Sequence, residues 1–536
     1  MRLICYDSFV RCNYVSIIFL LTVGVIVYIL IFEREVQADY EYKSFRQGVV
    51  KNVLLNFLKT PPDKVVEFTI DLEYSLHNVD KRFLSFSIDS SQIYKGLRNP
   101  SLREKWLVRQ ISHLKGGYLR IGGTAADMLV FSPAFSAWPD RELPLDGGHC
   151  SFYVKNCTKP PKHKKFSMSA VDWNEINNFA IKTGLKLLFD FNVLLREYGY
   201  WNSSNGELLL DFSFAYHYEI DWQLGNEPNA FKHVFGVEIE PATLAKDFNS
   251  LKKLLQQYTL YNSSLVIGPD VTNPHDLEMP PEEFLLDFLK AEPNIDVISW
   301  HHYNTGPEAT LEDFLNVETY DDFLKSYKII QETIKKSKIP SKPVWLTETG
   351  SSYGGGAKDL SNRFVASLLW ADKLGLGAKA GISVIVRQSL YRGEYSLLNS
   401  TTLKPNPDYW VSVLHKTLVR ETVLNLTVLS KSYDGTLRAY AHCSKKDSVV
   451  IFGVNLSKQS QGFYLPLNNT GYLYSLYSDD LQSRSMMLNG YKLFLGYEDR
   501  LPIFKPVKVS MKEVVPIPPY SIFFIQVEIM HPACFP

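Results

Sequence analysis

The chain has 536 residues, 45% hydrophobic and 13% aromatic, which excludes a disordered protein and allows one large domain with a smaller companion. Its 57 lysines and arginines balance 57 aspartates and glutamates, so any polyanion must be held by local patches rather than by net charge. That balance argues against a general nucleic-acid binder, and no zinc-finger, RNP or P-loop pattern occurs.

Tyr14 to Phe32 is an almost unbroken apolar run, long enough to span a bilayer as a helix. Arg2 and Arg11 precede it, which places the short N-terminus in the cytoplasm and the bulk of the chain in the lumen. Residues 1–38 therefore read as a cytosolic tail and signal anchor of type II topology. Val36-Gln37-Ala38 offers small residues at a cleavage position, so a cleaved signal and a secreted or lysosomal protein is the alternative. Both routes enter the secretory pathway, where cysteines beyond the run are expected to pair. Cys150 and Cys157 are near enough to close a small loop, and Cys443 and Cys534 are placed to tie the C-terminal end to an upstream strand. Asn-x-Ser/Thr sequons, Asn202 and Asn455 among them, fit the same compartment weakly.

Residues 39–64 read as a polar stalk, and 65–80 as a strand that joins a C-terminal sheet. From 81 to 420 short apolar segments alternate with longer amphipathic ones such as Leu244–Leu255 and Phe364–Leu374. The strand candidates are Phe83–Ile88, Tyr118–Ile121, Lys186–Asp190, Ile220–Leu224, Leu265–Gly268, Val297–Trp300, Val344–Thr347 and Ile382–Arg387. Such alternation predicts a (β/α)8 TIM barrel. A doubly wound sheet competes, but no glycine-rich phosphate loop follows the first strand. Residues 132–165, irregular and rich in Pro, Gly and Lys, form a long loop after strand two. Residues 421–536 alternate like antiparallel strands (437–444, 449–456, 520–528) and predict a β-sandwich.

Active residues of such barrels sit at the C-terminal ends of strands, and two carboxylates fall there. Glu227 follows strand four in Leu224-Gly225-Asn226-Glu227-Pro228, and Glu348 ends strand seven in Leu346-Thr347-Glu348. Strands four and seven face each other across the barrel mouth. Glycoside hydrolysis needs such a pair: one carboxylic acid to protonate the leaving oxygen, one carboxylate to attack carbon or activate water. Glu227 is the expected acid/base and Glu348 the expected nucleophile. The nucleophile must be held ionised, and Arg120 at the end of strand two is the candidate cation. Asn226 is placed to bond a sugar 2-hydroxyl. His301-His302 has no third ligand at suitable spacing, so no metal and no cofactor is expected.

These motifs resemble glycoside hydrolase family 79: its heparanases and, similarly, its leech-type hyaluronidases. The matching stretches are Leu-Gly-Asn-Glu-Pro-Asn (224–229), Trp-His-His-Tyr (300–303), Glu-Thr-Gly-Ser-Ser-Tyr-Gly-Gly-Gly-Ala (348–357), Val-Arg-Gln (386–388) and Pro-Asp-Tyr-Trp (407–410), with Tyr-Leu-Arg-Ile-Gly-Gly-Thr (118–124). The resemblance implies an endo-β-D-glucuronidase acting on heparan sulfate or a related glycosaminoglycan. It also implies a retaining mechanism, with carboxyl groups about 5–5.5 Å apart. It places glucuronide contacts on Asp89, Thr124, Tyr395 and the backbone of Gly354 and Gly355, with His301 and Tyr303 lining the site near the nucleophile and Arg387 beside them. It implies the disulfide Cys443–Cys534; the pair Cys150–Cys157 has no counterpart.

Departures bear on the substrate. Thr272-Asn273-Pro274-His275-Asp276 and Gly306-Pro307-Glu308 lack the family's basic residues, while Lys162, Lys164 and Lys165 survive as a candidate sulfate patch. Residues 131–165 are shorter than the linker heparanases excise, which puts processing in doubt. Arg392 and Glu394 are additions of this chain. The rival readings are hyaluronan cleavage by the same chemistry, and a catalytically dead heparan-sulfate-binding homologue.

Overall fold

The computed structural model describes residues 61–97, 100–133, 165–274, 280–445, 448–529 and 531–534. The apolar run Tyr14–Phe32, most of the stalk, Cys150, Cys157, Lys162 and Lys164 lie outside them. Among the described residues no helix is long and apolar enough to cross a membrane.

Eight parallel strands close into a barrel in chain order: Leu84–Asp89, Tyr118–Gly122, Lys186–Phe191, Ile220–Leu224, Val266–Val271, Val297–Thr305, Val344–Ser352 and Val384–Arg387. Almost every residue in them is buried, because helices cover the outside and side chains fill the inside. Local signals set the helices. Ser169 and Asp172 form a reciprocal capping box at the start of Ala170–Thr183, and Gly184 ends that helix at φ 69°. Prolines open Pro241–Leu255, Pro281–Lys290 and Pro407–Leu418, where a missing N–H costs nothing.

The barrel interior is layered by the two-residue period of its strands. At the bottom Tyr118, Leu188, Ile267, Val297, Trp345 and Val384 form an apolar plug. Two residues further on, the same faces carry Arg120, Asp190, Ser299 and Thr347, so the next layer is polar. Strict alternation would then turn Glu348 outward. The pairing of strands six and seven skips a residue between Trp300 and His301, opposite Thr347, and this irregularity re-aims the carboxylate. A similar shift lies between Gly268 and Val271 in strand five, at Asp270.

The C-terminal region folds as a second sheet. Its strands lie in the order Met487–Leu488, Thr470–Tyr477, Ser521–Glu528, Ser448–Asn455, Leu437–Cys443, Thr422–Val428, Lys64–Asn78, Gln461–Tyr464 and Val515–Ile517. The N-terminal strand Lys64–Asn78 pairs antiparallel with Thr422–Val428 and parallel with Gln461–Tyr464. The sheet curls over itself: Phe463 meets Phe523 at 5.6 Å although their strands are not neighbours. Leu437–Cys443 and Ser448–Asn455 are buried on both faces rather than alternately. Helix Phe364–Ala380 covers the second face, so tightly that a Cβ at Gly375 would meet the Tyr440 ring at 2.0 Å. Asn455 donates to the carbonyls of Gln459, Ile517 and Pro518, so that sequon's amide is occupied in the fold. Cys443 and Cys534 are bonded, with Cα atoms 5.7 Å apart.

A buried ion pair locks barrel to sheet. Asp372 accepts from Arg438 Nε at 2.8 Å and from the Tyr440 hydroxyl at 2.6 Å, and Arg438 reaches Asp321 as well. Replacing Asp372 by Ala leaves Arg438 with only the half-exposed Asp321. The expected outcome is a loss of about 3 kcal/mol, read as a lower denaturant midpoint at unchanged m-value.

Candidate active site

Arg120 stands at the centre of the barrel mouth with no solvent exposure. Its Nε donates to Gln223 Oε1 at 2.7 Å, its Nη2 to Asn226 Oδ1 and Asp270 Oδ2 at 2.9 Å each, and its Nη1 to Glu348 Oε2 at 2.8 Å. Burial alone would lower its pKa; Asp270 and Glu348 outweigh that and hold the guanidinium charged. The other oxygen of Glu348 accepts the Tyr303 hydroxyl at 2.7 Å. Glu348 is thus fixed at both oxygens, one of them by a full charge, with its side chain 12% exposed.

Glu227 is furnished differently. Its Oε1 meets His301 Nδ1 at 2.9 Å, and its backbone N–H donates to the Asp270 carbonyl at 3.1 Å. Glu227 and Asp270 both sit at φ 57°, a left-handed conformation that costs a non-glycine residue roughly 1–3 kcal/mol and persists only where surroundings impose it. His301 was expected to line the site near Glu348, its partner across strands six and seven; its hydrogen bond goes to Glu227. Burial would lower its pKa, but the charge of Glu348 and the bonds to Asp270 and Glu227 push it up to about 10. It is an imidazolium at neutral pH. His302, one residue on, points outward against Trp300 and Phe323, as alternation requires.

Asp270 was not foreseen. Burial opposes its charge, yet Arg120 and His301 hold it below the usual carboxylate range. Gln223 Nε2 and Thr347 Oγ1 donate to it at 2.6 and 2.7 Å, and its N–H donates to Ser299 Oγ. The signal available was its place in Gly268-Pro269-Asp270, immediately after a strand candidate. Asp127 and Asp190 were missed too. Burial pushes Asp127 up to about 8 despite bonds from the Val193 and Asn226 N–H groups. Burial and Asp127 raise Asp190, which lies 3.8 Å from Arg120.

The remaining expected residues ring this centre. Asp89 ends strand one, accepting from Ser91 N–H and Gln388 Nε2; a Cβ at Gly123 would meet it at 2.7 Å and Glu348 at 4.0 Å. Thr124 opens the turn after strand two. Gly354 and Gly355 have φ 63° and 95°, and a Cβ at Gly355 would touch nothing within 4 Å, so that turn is open. Tyr395 stacks on Tyr303 at 6.1 Å. Asn226 spends its carbonyl on Arg120, which leaves its NH2 as the group for a sugar hydroxyl. Arg387 was expected among the substrate contacts. It is 1% exposed and donates to the carbonyls of Gln388 and Tyr395 and to Asp408, which anchors the loop carrying Tyr395. Lys165 is exposed just before the strand Phe166–Ser169.

The raised pKa of His301 has a thermodynamic consequence. Because the folded value lies above the unfolded one near 6.5, its stabilisation is full below about pH 6.5 and is lost as pH rises towards 10. Thermal unfolding of His301→Gln against the parent chain should show a stability gap that narrows steadily between those pH values. A gap independent of pH would contradict a charged His301.

Comparison with known proteins is consistent with this geometry. Residues 89–375 match the model described as glycosyl hydrolase family 79, N-terminal domain. Heparanase of Gallus gallus is 33% identical over 88% of this chain and 97% of its own. Hyaluronoglucuronidase of Hirudo nipponia is 29% identical over 82% of this chain and 93% of its own. Among solved structures, a 4-O-alpha-L-rhamnosyl-beta-D-glucuronidase from Fusarium oxysporum superposes with a TM-score of 0.62 at 14% identity, covering 86% of this chain and all of that one, which speaks to the fold alone. A family model spanning just over half the chain, and a relative one-third identical along nearly its whole length, place this chain in glycosyl hydrolase family 79.

Proposed function

We propose that the chain is a retaining endo-β-D-glucuronidase that hydrolyses internal glucuronide linkages of heparan sulfate. The observation that carries this reading is the unequal furnishing of two glutamates at one barrel mouth. Glu348, held by Arg120 and Tyr303, is the group to attack the anomeric carbon as a carboxylate. Glu227, bonded to His301, is the group to give its proton to the leaving oxygen and then to take one from the incoming water. The glycosyl–Glu348 ester formed in the first step is hydrolysed in the second, which returns the sugar with its configuration retained. Main-chain N–H groups of the Gly354–Gly355 turn suit the uronate carboxylate, and Tyr395, Asp89, Thr124 and Asn226 suit its hydroxyls.

The substrate assignment follows the heparanase relatives. The alternative, hyaluronan, draws on one observation: Thr272–Pro274 and Gly306–Glu308 carry no basic residue at the rim. The cystine Cys443–Cys534 supports folding in an oxidising compartment. The run Tyr14–Phe32 serves as a type II anchor in our reading, with cleavage and secretion as the alternative.

Glu348→Gln should lose at least about a thousandfold in turnover while unfolding like the parent chain, since an amide cannot form the ester. Glu227→Gln should be most impaired on substrates with poor leaving groups and be rescued by azide on an activated aryl glucuronide. Equal loss on every substrate without rescue would remove the acid/base role. The product profile on heparan sulfate and hyaluronan, run separately, decides the substrate: new reducing-end glucuronic acid from heparan sulfate supports the main reading. Cleavage of hyaluronan alone moves the enzyme to the alternative.

A further inference from the structure

A lysine amine is buried in the wall of the barrel with no carboxylate bonded to it among the described residues. Lys373 lies on helix Phe364–Ala380 and is 3% exposed. Its Nζ donates to Thr349 Oγ1 at 2.8 Å, to the Gly350 carbonyl at 3.2 Å and to His302 Nδ1 at 3.2 Å. Burial, aided by the charge of Arg387, lowers its pKa well below the usual lysine range. A methionine of similar length would fill the same space without desolvating an amine. The amine bonds neither Glu227 nor Glu348, so the proposed reaction makes no direct use of it.

What the amine grips is the first outward pair beyond the irregularity of strands six and seven. Pairing skips Thr347 and resumes with His301 opposite Glu348, His302 opposite Thr349 and Tyr303 opposite Gly350. His301 and Tyr303 turn inward, to Glu227 and Glu348. His302 and Thr349 turn outward, to Lys373, and Thr349 Oγ1 closes their pair by donating to the His302 carbonyl. A Cβ on Gly350 would meet Tyr303 Cε1 at 3.1 Å, so Tyr303 lies against the backbone whose carbonyl Lys373 holds. The support is itself fixed. Asp372, the preceding residue, is bonded to Arg438 and Tyr440. Burial and Lys373 hold the pKa of His302 down at about 4, so its ring is neutral. Its Nε2 faces the Asp322 carboxylate at 3.3 Å and carries the proton, which leaves Nδ1 to accept from the amine.

We propose that Lys373 is a positioning residue for Glu348: from outside the barrel it holds strands six and seven in the shifted register that aims this carboxylate into the cleft. The inference rests on the glycosidase reading and extends it to a residue that touches no sugar. A slip of one residue exchanges the inward and outward faces of a strand, so a skipped pairing needs a hold beyond the ordinary ladder. One amine reaches acceptors on both strands at once, and it does so at the pair lying between the two inward pairs that carry the chemistry. Without it Arg120 and Tyr303 still bind Glu348, so the harm expected is to the carboxylate's placement rather than to its charge.

The test compares full chains in which Lys373 is replaced by Met, which removes the donors, or by Gln, which keeps an N–H. The probe is 2-deoxy-2-fluoro-β-D-glucuronosyl fluoride, which reads Glu348 alone. Its anomeric carbon takes a bond from the carboxylate oxygen as fluoride leaves, with no proton needed from Glu227. Peptide mass spectrometry follows the ester at Glu348. Lys373→Met should slow labelling at saturating probe about ten- to hundredfold, as a displacement of about 1 Å does, with half-saturation held within about twofold. Lys373→Gln should recover part of that rate. Thr349→Val removes one acceptor without opening a void; it should slow labelling in the same sense, and it carries the test if Lys373→Met does not fold. An unchanged rate, or equal changes in rate and half-saturation, would overturn the inference. Hydrogen exchange on the same chains keeps the two ideas apart. Labelling of the parent with an unchanged rate in the variants refutes the positioning role alone. A parent that neither labels nor cleaves glycan refutes the glycosidase reading. Faster exchange in Lys373→Met confined to residues 300–305 and 346–352 then upholds the hold on the register, and unchanged exchange refutes that as well.

Discussion

A guanidinium with no solvent exposure is tolerated only where acceptors surround it, and the mouth of this barrel is organised around that need at Arg120. Desolvating such an ion costs several kcal/mol, which mutual attraction offsets only with good geometry. Here Gln223 and Asn226 come from strand four and its loop, Asp270 from strand five and Glu348 from strand seven, with Asp190 of strand three further off. One side chain thus ties four other parts of the barrel to strand two. The same bonds that neutralise Arg120 set where Glu348 points, so stability and the proposed reactivity here have a common origin.

The charge count of the centre follows. Arg120 and His301 are held towards their charged forms and Asp270 towards its carboxylate, with Glu348 bonded to Arg120 at 2.8 Å. Asp127 and Asp190 would add two negative charges to a dry interior, and burial drives both towards the neutral acid. His301 is the hinge between the two halves of the centre. It touches Glu227 through Nδ1 and lies 3.4 Å from Asp270 through Nε2, so a proton lost at one glutamate is felt where Arg120 is anchored.

Much of this was legible in the residues. The eight barrel strands fell close to their predicted places because each is a short apolar run bounded by turn residues, and the terminal strands fell close to theirs although two of them are buried on both faces. Glu227, Glu348 and Arg120 could be picked out as strand-end charges in otherwise apolar surroundings. Part of what stayed hidden has one cause. Period-two reasoning assigns faces only while pairing is regular, and strands five and seven are irregular where the chemistry lies. Asp270 was overlooked because its strand seemed to end at Gly268. Arg387 looked like a substrate contact because its motif resembled one, whereas its Nη donors are spent on carbonyls and Asp408.

The irregularities are also what make the site possible. In a regular strand Thr347 and Glu348 would face opposite sides, and only one could enter the barrel. Skipping one residue in the pairing lets Thr347 bond Asp270 while Glu348 reaches Arg120 and Tyr303. At strand five the left-handed Asp270 likewise offers its carbonyl to Glu227 N–H and its carboxylate to Arg120. The strand-five departure stores backbone strain at Asp270, and both departures are held by bonds to charged groups. Glu227, Glu348 and the buried Arg120 therefore form one over-determined unit. A substitution that relaxes either irregularity would move a catalytic oxygen before it cost the barrel its fold, because the apolar plug beneath, from Tyr118 to Trp345, makes no use of these bonds.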